Sequence, residues 1–308
     1  MGSLADGVHA EILARLAGVS VAARQAVEGL LSGAHRSLRR GLSVEFAGHR
    51  PYLPGDDLRR LDWQVWARTD RLEIRQYEEE TRLRATIVVD ASGSLAYGAK
   101  GQGIGGASKL DYARTLAAAL AFLLVRERDA VGLAVIDTGV RRHLPPQTTM
   151  GHLLSMLDAL ADCPPGGETS LSAAITALMP LLARRGIVIL ITDALDDPDR
   201  IADCLRELRF RRQDVRLIVV EDPDEADFPF HGPLDVRGLE HEPKLDVDAD
   251  RVRAYYRQAV REHHRRVEEA AHGVGATCDV VSTAEAPADA LLRILAAGPA
   301  ETSGSVRA

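Results

Sequence analysis

The sequence predicts an α/β fold: a doubly wound, mostly parallel sheet, preceded by an N-terminal helical and strand-rich extension. Three observations predict it. Short all-apolar runs such as Ile87-Val88-Val89 and Ile187-Val188-Ile189-Leu190-Ile191 read as strands buried on both faces. Segments with helical spacing of apolar residues alternate with those runs, which is the pattern of a parallel sheet wrapped by helices. Two of the runs end in an aspartate, Asp90 and Asp193, at the carboxyl edge where open α/β sheets bind their ligands.

At the N-terminus, Ile12, Leu13, Leu16, Val19, Ala23, Val27, Leu30 and Leu31 recur at helical spacing. Gly18-Val19-Ser20 divides them into two helices, with Ser20 placed to cap the second and Gly33 closing the pair. Residues 41–80 form a polar, strand-rich stretch in which Leu42, Val44 and Phe46 alternate, and Leu72, Ile74, Gln76 and Glu78 do so less cleanly. Pro54-Gly55-Asp56-Asp57 between them is a turn, because proline presets one dihedral and glycine permits a positive one. From Arg84 onward strands are expected near 86–90, 131–137, 187–193, 215–221 and 277–281. Helices are expected near 109–128, 150–161, 171–184, 200–210, 250–272 and 288–296. Residues 141–144 fit an added edge strand, and the Pro- and Asp-rich connection 223–244 is expected to fold over the surface. The domains are therefore 1–83 as the extension, 84–296 as the α/β domain, and 297–308 as a polar tail expected to be disordered.

Composition narrows the function. A length of 308 residues with 46% hydrophobic and 27% charged residues can bury a large core. The net charge of −7 gives no electrostatic support to general nucleic-acid binding. No apolar run approaches the ~20 residues needed to cross a bilayer, and no signal peptide is visible. A cytoplasmic protein without an integral membrane segment is expected. Cys163, Cys204 and Cys278 are too scattered for a disulfide framework or a metal motif, and are read as core or surface thiols.

The richest chemistry follows the first strand. Asp90, Ser92 and Ser94 present a carboxylate and two hydroxyls from one tight turn, a hard-oxygen set suited to Mg²⁺ or Mn²⁺, with Ca²⁺ also admissible. Gly166-Gly167-Glu168-Thr169 places a further hydroxyl in a loop just before a helix, and Asp193 shares the sheet edge with Asp90 if their strands are neighbours. Asp90, Ser92, Ser94, Thr169 and Asp193 form the candidate metal set. Mostly neutral hydroxyl ligands leave such an ion electrophilic, so it favours a carboxylate brought by another molecule. The bland counterpart is a hydroxyl-capped turn whose hydrogen bonds merely tie the loop.

Other features have plainer readings. Asp196 and Asp197 are better read as caps ahead of a helix starting at Pro198 than as residues surrounding a metal. Glu168 reads as solvated, and Lys109 as a surface residue early in its helix, with a contact to a metal-ligating side chain as the competing role. The Pro54–Asp57 turn with Arg59, Arg60 and Asp62 reads as ion pairing that docks the extension, with partner binding as the competing role. Trp63 and Trp66 share a helical face and read as a core anchor. His263-His264-Arg265-Arg266 reads as a solvated face.

No catalytic residues are assigned and no enzyme is expected. Gly101 to Gly106 is glycine-rich but lacks the strand and the GxxxxGK[ST] spacing of a phosphate loop. The alternative is a Mg²⁺-dependent phosphohydrolase of haloacid dehalogenase type with Asp90 as nucleophile. That chemistry calls for a second Asp two residues on, where this chain has Ser92.

Asp90-Ala-Ser92-Gly-Ser94 with Thr169 and Asp193 resembles the metal-ion-dependent adhesion site of von Willebrand factor A-type domains, over residues 84–296. The stretch from Glu45-Phe46 through Arg50, Tyr52, Pro54-Gly55-Asp56-Asp57, Arg59-Arg60 and Asp62-Trp63 resembles the signature of the bacterial domain of unknown function 58 family, and Ala67-Arg68 and Glu78-Glu79-Glu80 extend it. The resemblance implies an A-type α/β domain with an N-terminal extension. It also implies a non-enzymatic adaptor or co-chaperone for a MoxR-type AAA+ ATPase, since such family members are commonly encoded beside those ATPases. The acidic residue would come from that ATPase or from a protein client. Many relatives carry membrane helices before the signature, and this sequence has none. It also has Thr192-Asp193-Ala194 where many A-type domains have Asp-Gly.

Overall fold

The computed structural model describes residues 48–51, 73–76, 83–98, 107–168, 170–240 and 243–296. The expected N-terminal helices, the 42–46 strand, the Pro54–Asp57 turn, both tryptophans, the 101–106 glycines, Thr169 and the C-terminal tail lie outside those residues. The chain divides into two compact units, the smaller of which is Arg36–Arg82. Within 36–82, strands β1 (Gly48–Pro51) and β2 (Glu73–Gln76) pair antiparallel. β2 falls in the second alternating run, and β1 was not anticipated.

The larger unit is built on six strands: β3 (Arg84–Asp90), β4 (Ala130–Ile136), β5 (Val140–Gln147), β6 (Gly186–Thr192), β7 (Gln213–Glu221) and, after a small β8/β9 hairpin described below, β10 (Thr277–Ser282). They lie in the order β10-β7-β6-β3-β4-β5, with all neighbours parallel except β5, which runs antiparallel to β4. The fold class expected from the sequence is the one observed. β3 and β4 are buried along almost their whole length because helices cover both faces. Alternate residues of β3 serve opposite faces. Ile87 and Val89 pack with helices α1 (Lys109–Arg126), α2 (Met150–Ala161) and α7 (Pro287–Ala296). Val88 packs with α3 (Leu171–Leu178), α4 (Pro198–Phe210) and α6 (Ala249–Gly273).

Local chemistry explains the boundaries. The Ser108 hydroxyl accepts from Asp111 N at 3.0 Å, and the Asp111 carboxylate accepts from Ser108 N in return, so a capping box starts α1. The run of alanines in α1 lets its axis approach the sheet, and its larger residues, Phe122 among them, fill the space between. Asp197 caps α4 by accepting from Asp199 N at 2.9 Å, as expected, with Pro198 at the first helical position. The helix expected over 171–184 ends at Leu178 and tightens into a 3₁₀ turn at Met179–Leu181. Pro180 supplies no N–H for a further α-helical turn, a stop that the apolar spacing conceals. The edge strand extends from the expected 141–144 to Val140–Gln147, where Pro145 and Pro146 leave its outer side a poor template for further pairing. It kinks against β4 at Gly132, where a Cβ would lie 2.7 Å from the Leu144 carbonyl oxygen.

The connection expected to cross the surface between β7 and α6 is more structured than its composition implies. It holds a short helix, α5 (Pro223–Asp227), and a hairpin of β8 (Pro233–Val236) with β9 (Leu245–Asp248). Asp222 caps α5 and Glu225 completes a capping box, so the Asp-Pro-x-Glu spacing announces this helix. Among the described residues, no helix is long and apolar enough to cross a membrane.

Phe122 is 1% exposed and central to the α1 face of the core. Phe122→Ala should lower unfolding stability by about 3–5 kcal/mol, measured as a fall in urea midpoint with an unchanged slope.

Candidate metal centre

The order of the strands decides where the site lies. Successive strands step from β3 outward to β4 and β5 on one side, then from β6 to β7 and β10 on the other. The reversal falls between β3 and β6, and at such a switch point the loops leaving the carboxyl ends diverge and open a crevice. Asp90 ends β3, and Asp193 follows the last residue of β6. Asp90 and Asp193 are both buried, as is Ser92, while Ser94 is partly open.

The turn after β3 is fixed from three directions. Ala91 N donates to the Ile136 carbonyl at 2.8 Å, which continues the β3/β4 ladder one residue past the strand. Gly93 N donates to the Gly167 carbonyl at 2.8 Å and Gly166 N donates to the Ala91 carbonyl, so the 166–167 loop is clamped onto the Asp90 turn. A Cβ on Gly166 would lie 2.8 Å from Asp137 Oδ2 and 3.1 Å from the Ala91 carbonyl oxygen, so a larger residue would require these neighbours to shift. Thr169, two residues beyond the clamp, lies outside the described residues.

Within the turn the side chains converge. Asp90 Oδ1 accepts from Ser92 N at 2.9 Å and Oδ2 accepts from the Thr192 hydroxyl at 2.7 Å, which locks the carboxylate's orientation. The Ser92 and Ser94 hydroxyl oxygens are 3.2 Å apart. Burial, then the neighbouring charge of Asp193, push the Asp90 carboxyl up to about 7 despite the hydrogen bonds from Thr192 and Ser92. Ser94 N donates to Glu240 Oε1 at 2.8 Å.

Asp193 has a partner that sequence reasoning placed elsewhere. Lys109, expected on the surface, is fully buried, and its ammonium donates to Asp193 Oδ2 at 2.9 Å and to Glu225 Oε1 at 2.7 Å. Its Nζ also lies 5.9 Å from the Tyr97 ring centroid. A cation at the first residue of α1 faces the positive end of its own helix dipole, so this burial depends on the two carboxylates. Burial pulls the Lys109 ammonium down, but Asp193 and Glu225 outweigh it and hold the group above its ordinary value. The expected solvated face at His263 and His264 is also corrected. Both are half-buried: His263 Nε2 donates to the Ala194 carbonyl at 2.8 Å, and His264 Nδ1 sits 3.5 Å from Glu221. Ala194 itself takes a left-handed conformation at φ 54°, so the chain turns sharply after Asp193 where a glycine would be relaxed.

The donor set can be tested against a small octahedral cation. Ligands at 2.0–2.1 Å on adjacent octahedral corners are about 2.9 Å apart, and the two serine hydroxyls, at 3.2 Å, are close to that separation. The buried, charge-costly Asp90 beside them is the group such a cation would offset. Ser92, two residues after Asp90, hydrogen-bonds with Ser94 and offers no second carboxylate for phosphohydrolase chemistry. The described residues contain no cluster of three or more His, Cys, Asp or Glu side chains arranged to hold a metal, so the fit rests on hydroxyls together with one carboxylate turn. Cys163, Cys204 and Cys278 are free thiols whose burial pushes them up.

Similarity to known proteins bears on family. The uncharacterized proteins Rv1480 of Mycobacterium tuberculosis and Mb1516 of Mycobacterium bovis are each 30% identical to this chain over 272 residues, covering 86% of it and 83% of the relative. Among solved structures, the conserved hypothetical protein BatB from Bacteroides thetaiotaomicron aligns with 70% of this chain and all of its own at 16% identity and a TM-score of 0.46. The SpRpn10 VWA domain aligns with 68% of this chain and 94% of its own at 11% identity and a TM-score of 0.44. The model of the family described as protein of unknown function DUF58 matches residues 48–266, and the chain belongs to that family.

Proposed function

We propose that this chain is a non-enzymatic protein-interaction module that captures an acidic side chain of its partner at a divalent cation, Mg²⁺ or Mn²⁺. The cation would be held by Asp90, Ser92 and Ser94, with Thr169 and Asp193 completing the set. One observation carries the reading. Two serine hydroxyls face each other at 3.2 Å beside a carboxylate that is 1% exposed, at the switch point of a parallel sheet. When bound, such an ion supplies a positive centre whose neutral hydroxyl ligands leave its charge available to an incoming carboxylate.

The chain's own residues prepare that centre. Thr192 and the Ser92 amide hold Asp90 in one orientation, so little ordering is left for the moment of binding. Lys109 neutralises Asp193, which keeps the second carboxylate from repelling an acidic partner. The family resemblance points to a MoxR-type AAA+ ATPase or its client as the source of the acidic residue, with this chain as a cytoplasmic adaptor and the ATPase performing the remodelling. The absence of a phosphate-loop motif from this sequence agrees with that division of labour.

At a hundredfold excess over its dissociation constant, Mg²⁺ or Mn²⁺ should stabilise the chain by about 2.7 kcal/mol, a rise in Tm of about 5–10 °C for a domain of this size. Asp90→Ala should abolish the rise in differential scanning fluorimetry. It should likewise release a MoxR-type ATPase that immobilised wild-type protein retains in Mg²⁺ and loses in EDTA. Wild type indifferent to metal and EDTA would refute the proposal.

A second outcome concerns pH. Because its folded value of about 7 lies above the ordinary one, Asp90 binds its proton more tightly folded than unfolded. The destabilisation it causes is therefore absent well below pH 4 and grows as pH rises through 7. In EDTA, lowering the pH from ~7.5 to ~5.5 should stabilise wild type by about 2 kcal/mol relative to Asp90→Asn. Parallel stability profiles for the two proteins would show that Asp90 is not a strained carboxylate.

A further inference from the structure

We infer that Glu240 is the chain's own acidic ligand at the Asp90 site, occupying the position that a partner's carboxylate takes when the module engages. This rests on the metal reading above and adds to it how the site is regulated.

Glu240 belongs to the stretch between β8 and β9, and it meets the Asp90 turn from 146 residues away in sequence. Its Oε1 accepts from the backbone N–H of Ser94, the residue whose hydroxyl faces Ser92. The approach is close along more than the carboxylate. A Cβ built on Gly93 would lie 2.7 Å from the Leu239 carbonyl oxygen and 2.9 Å from Glu240 Cγ. The middle residue of the turn therefore has no side chain where the Glu240 stem passes, and any other residue would push that stem away. A carboxylate is thus delivered to the rim of a set of cation donors by a segment shaped to pass there.

The same connection is anchored a second time. Glu225, on α5, takes the Lys109 ammonium whose other partner is Asp193. One end of the connection thus grips the Asp193 side and the other reaches the Ser94 side. The β8/β9 hairpin whose loop carries Glu240 is paired strand to strand and bears exposed ion pairs, Lys244 to Asp235 at 3.1 Å and Arg237 to Asp235 at 3.2 Å. Exposed pairs of that kind add little to stability. The Lys109 anchor is fully buried, whereas Glu240 is partly open to solvent. A partner carboxylate displaces the arm without breaking the anchor.

The alternative role for Glu240 is a plain cap on the Ser94 amide, and Mn²⁺ separates the two. The full chain, Glu240→Gln, Glu240→Ala and Asp90→Ala would be titrated with Mn²⁺, with free ion followed by electron paramagnetic resonance and bound ion by water-proton relaxivity. Glutamine keeps an amide oxygen for Ser94 N while losing the charge, and circular dichroism in EDTA checks that each variant is folded. Both Glu240 variants should bind Mn²⁺ at least about tenfold more weakly, the lower end of what losing even an outer-sphere partner costs. Glu240→Ala should show higher relaxivity per bound ion, as water takes the vacated position, and added acetate should lower that relaxivity while leaving wild type unchanged. Equal affinity and relaxivity in wild type and both variants, or a loss in Glu240→Ala that glutamine fully restores, would reduce Glu240 to a cap and overturn the inference while leaving the metal site standing. Wild type that binds Mn²⁺ no better than Asp90→Ala would remove the metal site and the inference together.

Discussion

Two carboxylates buried at neighbouring strand ends, Asp90 and Asp193, set the terms for everything around them. An ionised carboxylate out of water is costly unless hydrogen bonds or an opposite charge offset it. The fold answers differently at the two positions. Asp90 is given hydrogen bonds from Thr192 and from the Ser92 amide, enough to orient it but not enough to hold it at its ordinary acidity. Asp193 is given a full positive charge in Lys109. Lys109, once buried, needs Glu225, and Glu225 fixes the start of the connection that returns to Ser94 through Glu240. A chain of compensations that begins with one strand end therefore organises residues scattered from β3 to β9.

The order in which these features could be read from sequence follows their range. The strands were legible because parallel strands covered on both faces are apolar throughout, a local property. Their Asp-terminated ends were legible for the same reason, and pairing of β3 with β6 makes Asp90 and Asp193 neighbours as expected. The stop at Pro180 was present in the letters, but apolar spacing at 171–184 masked it. Lys109 was misplaced because a lysine at the start of a helix looks alike whether solvent or a carboxylate receives it. Its partners lie 84 and 116 residues away. Glu240 left no local trace at all, since one glutamate in a polar loop is unremarkable until the loop is folded back. The histidine pair was misread for a related cause: α6 is polar enough to pass for a solvated helix, yet its His263 reaches the Ala194 carbonyl.

One of four non-glycine residues with positive φ among the described residues lies where β6 ends. Ala194 carries a left-handed backbone directly after Asp193, a conformation that costs a non-glycine residue of order 1–3 kcal/mol. It persists because the surroundings over-determine it: Ala194 N donates to the Thr192 hydroxyl, and the Ala194 carbonyl accepts from His263. Thr192 thus serves two neighbours at once, accepting from Ala194 while donating to Asp90. The geometry that turns the chain after Asp193 is the same geometry that aims Asp90.

The charge balance decides what kind of molecule the crevice accepts. Asp90, Asp193 and Glu225 put three acidic groups at this carboxyl edge, with Lys109 paired to two of them, a balance that would favour a small dication over a free acidic side chain. A dication bound at the turn would offset that excess, and one further carboxylate would then add charge that the ion itself screens at short range. Without Lys109 the same carboxylate would enter against an additional uncompensated negative charge. Under the proposed reading the buried lysine, by offsetting Asp193, would lower the negative charge that an incoming carboxylate meets beside the cation.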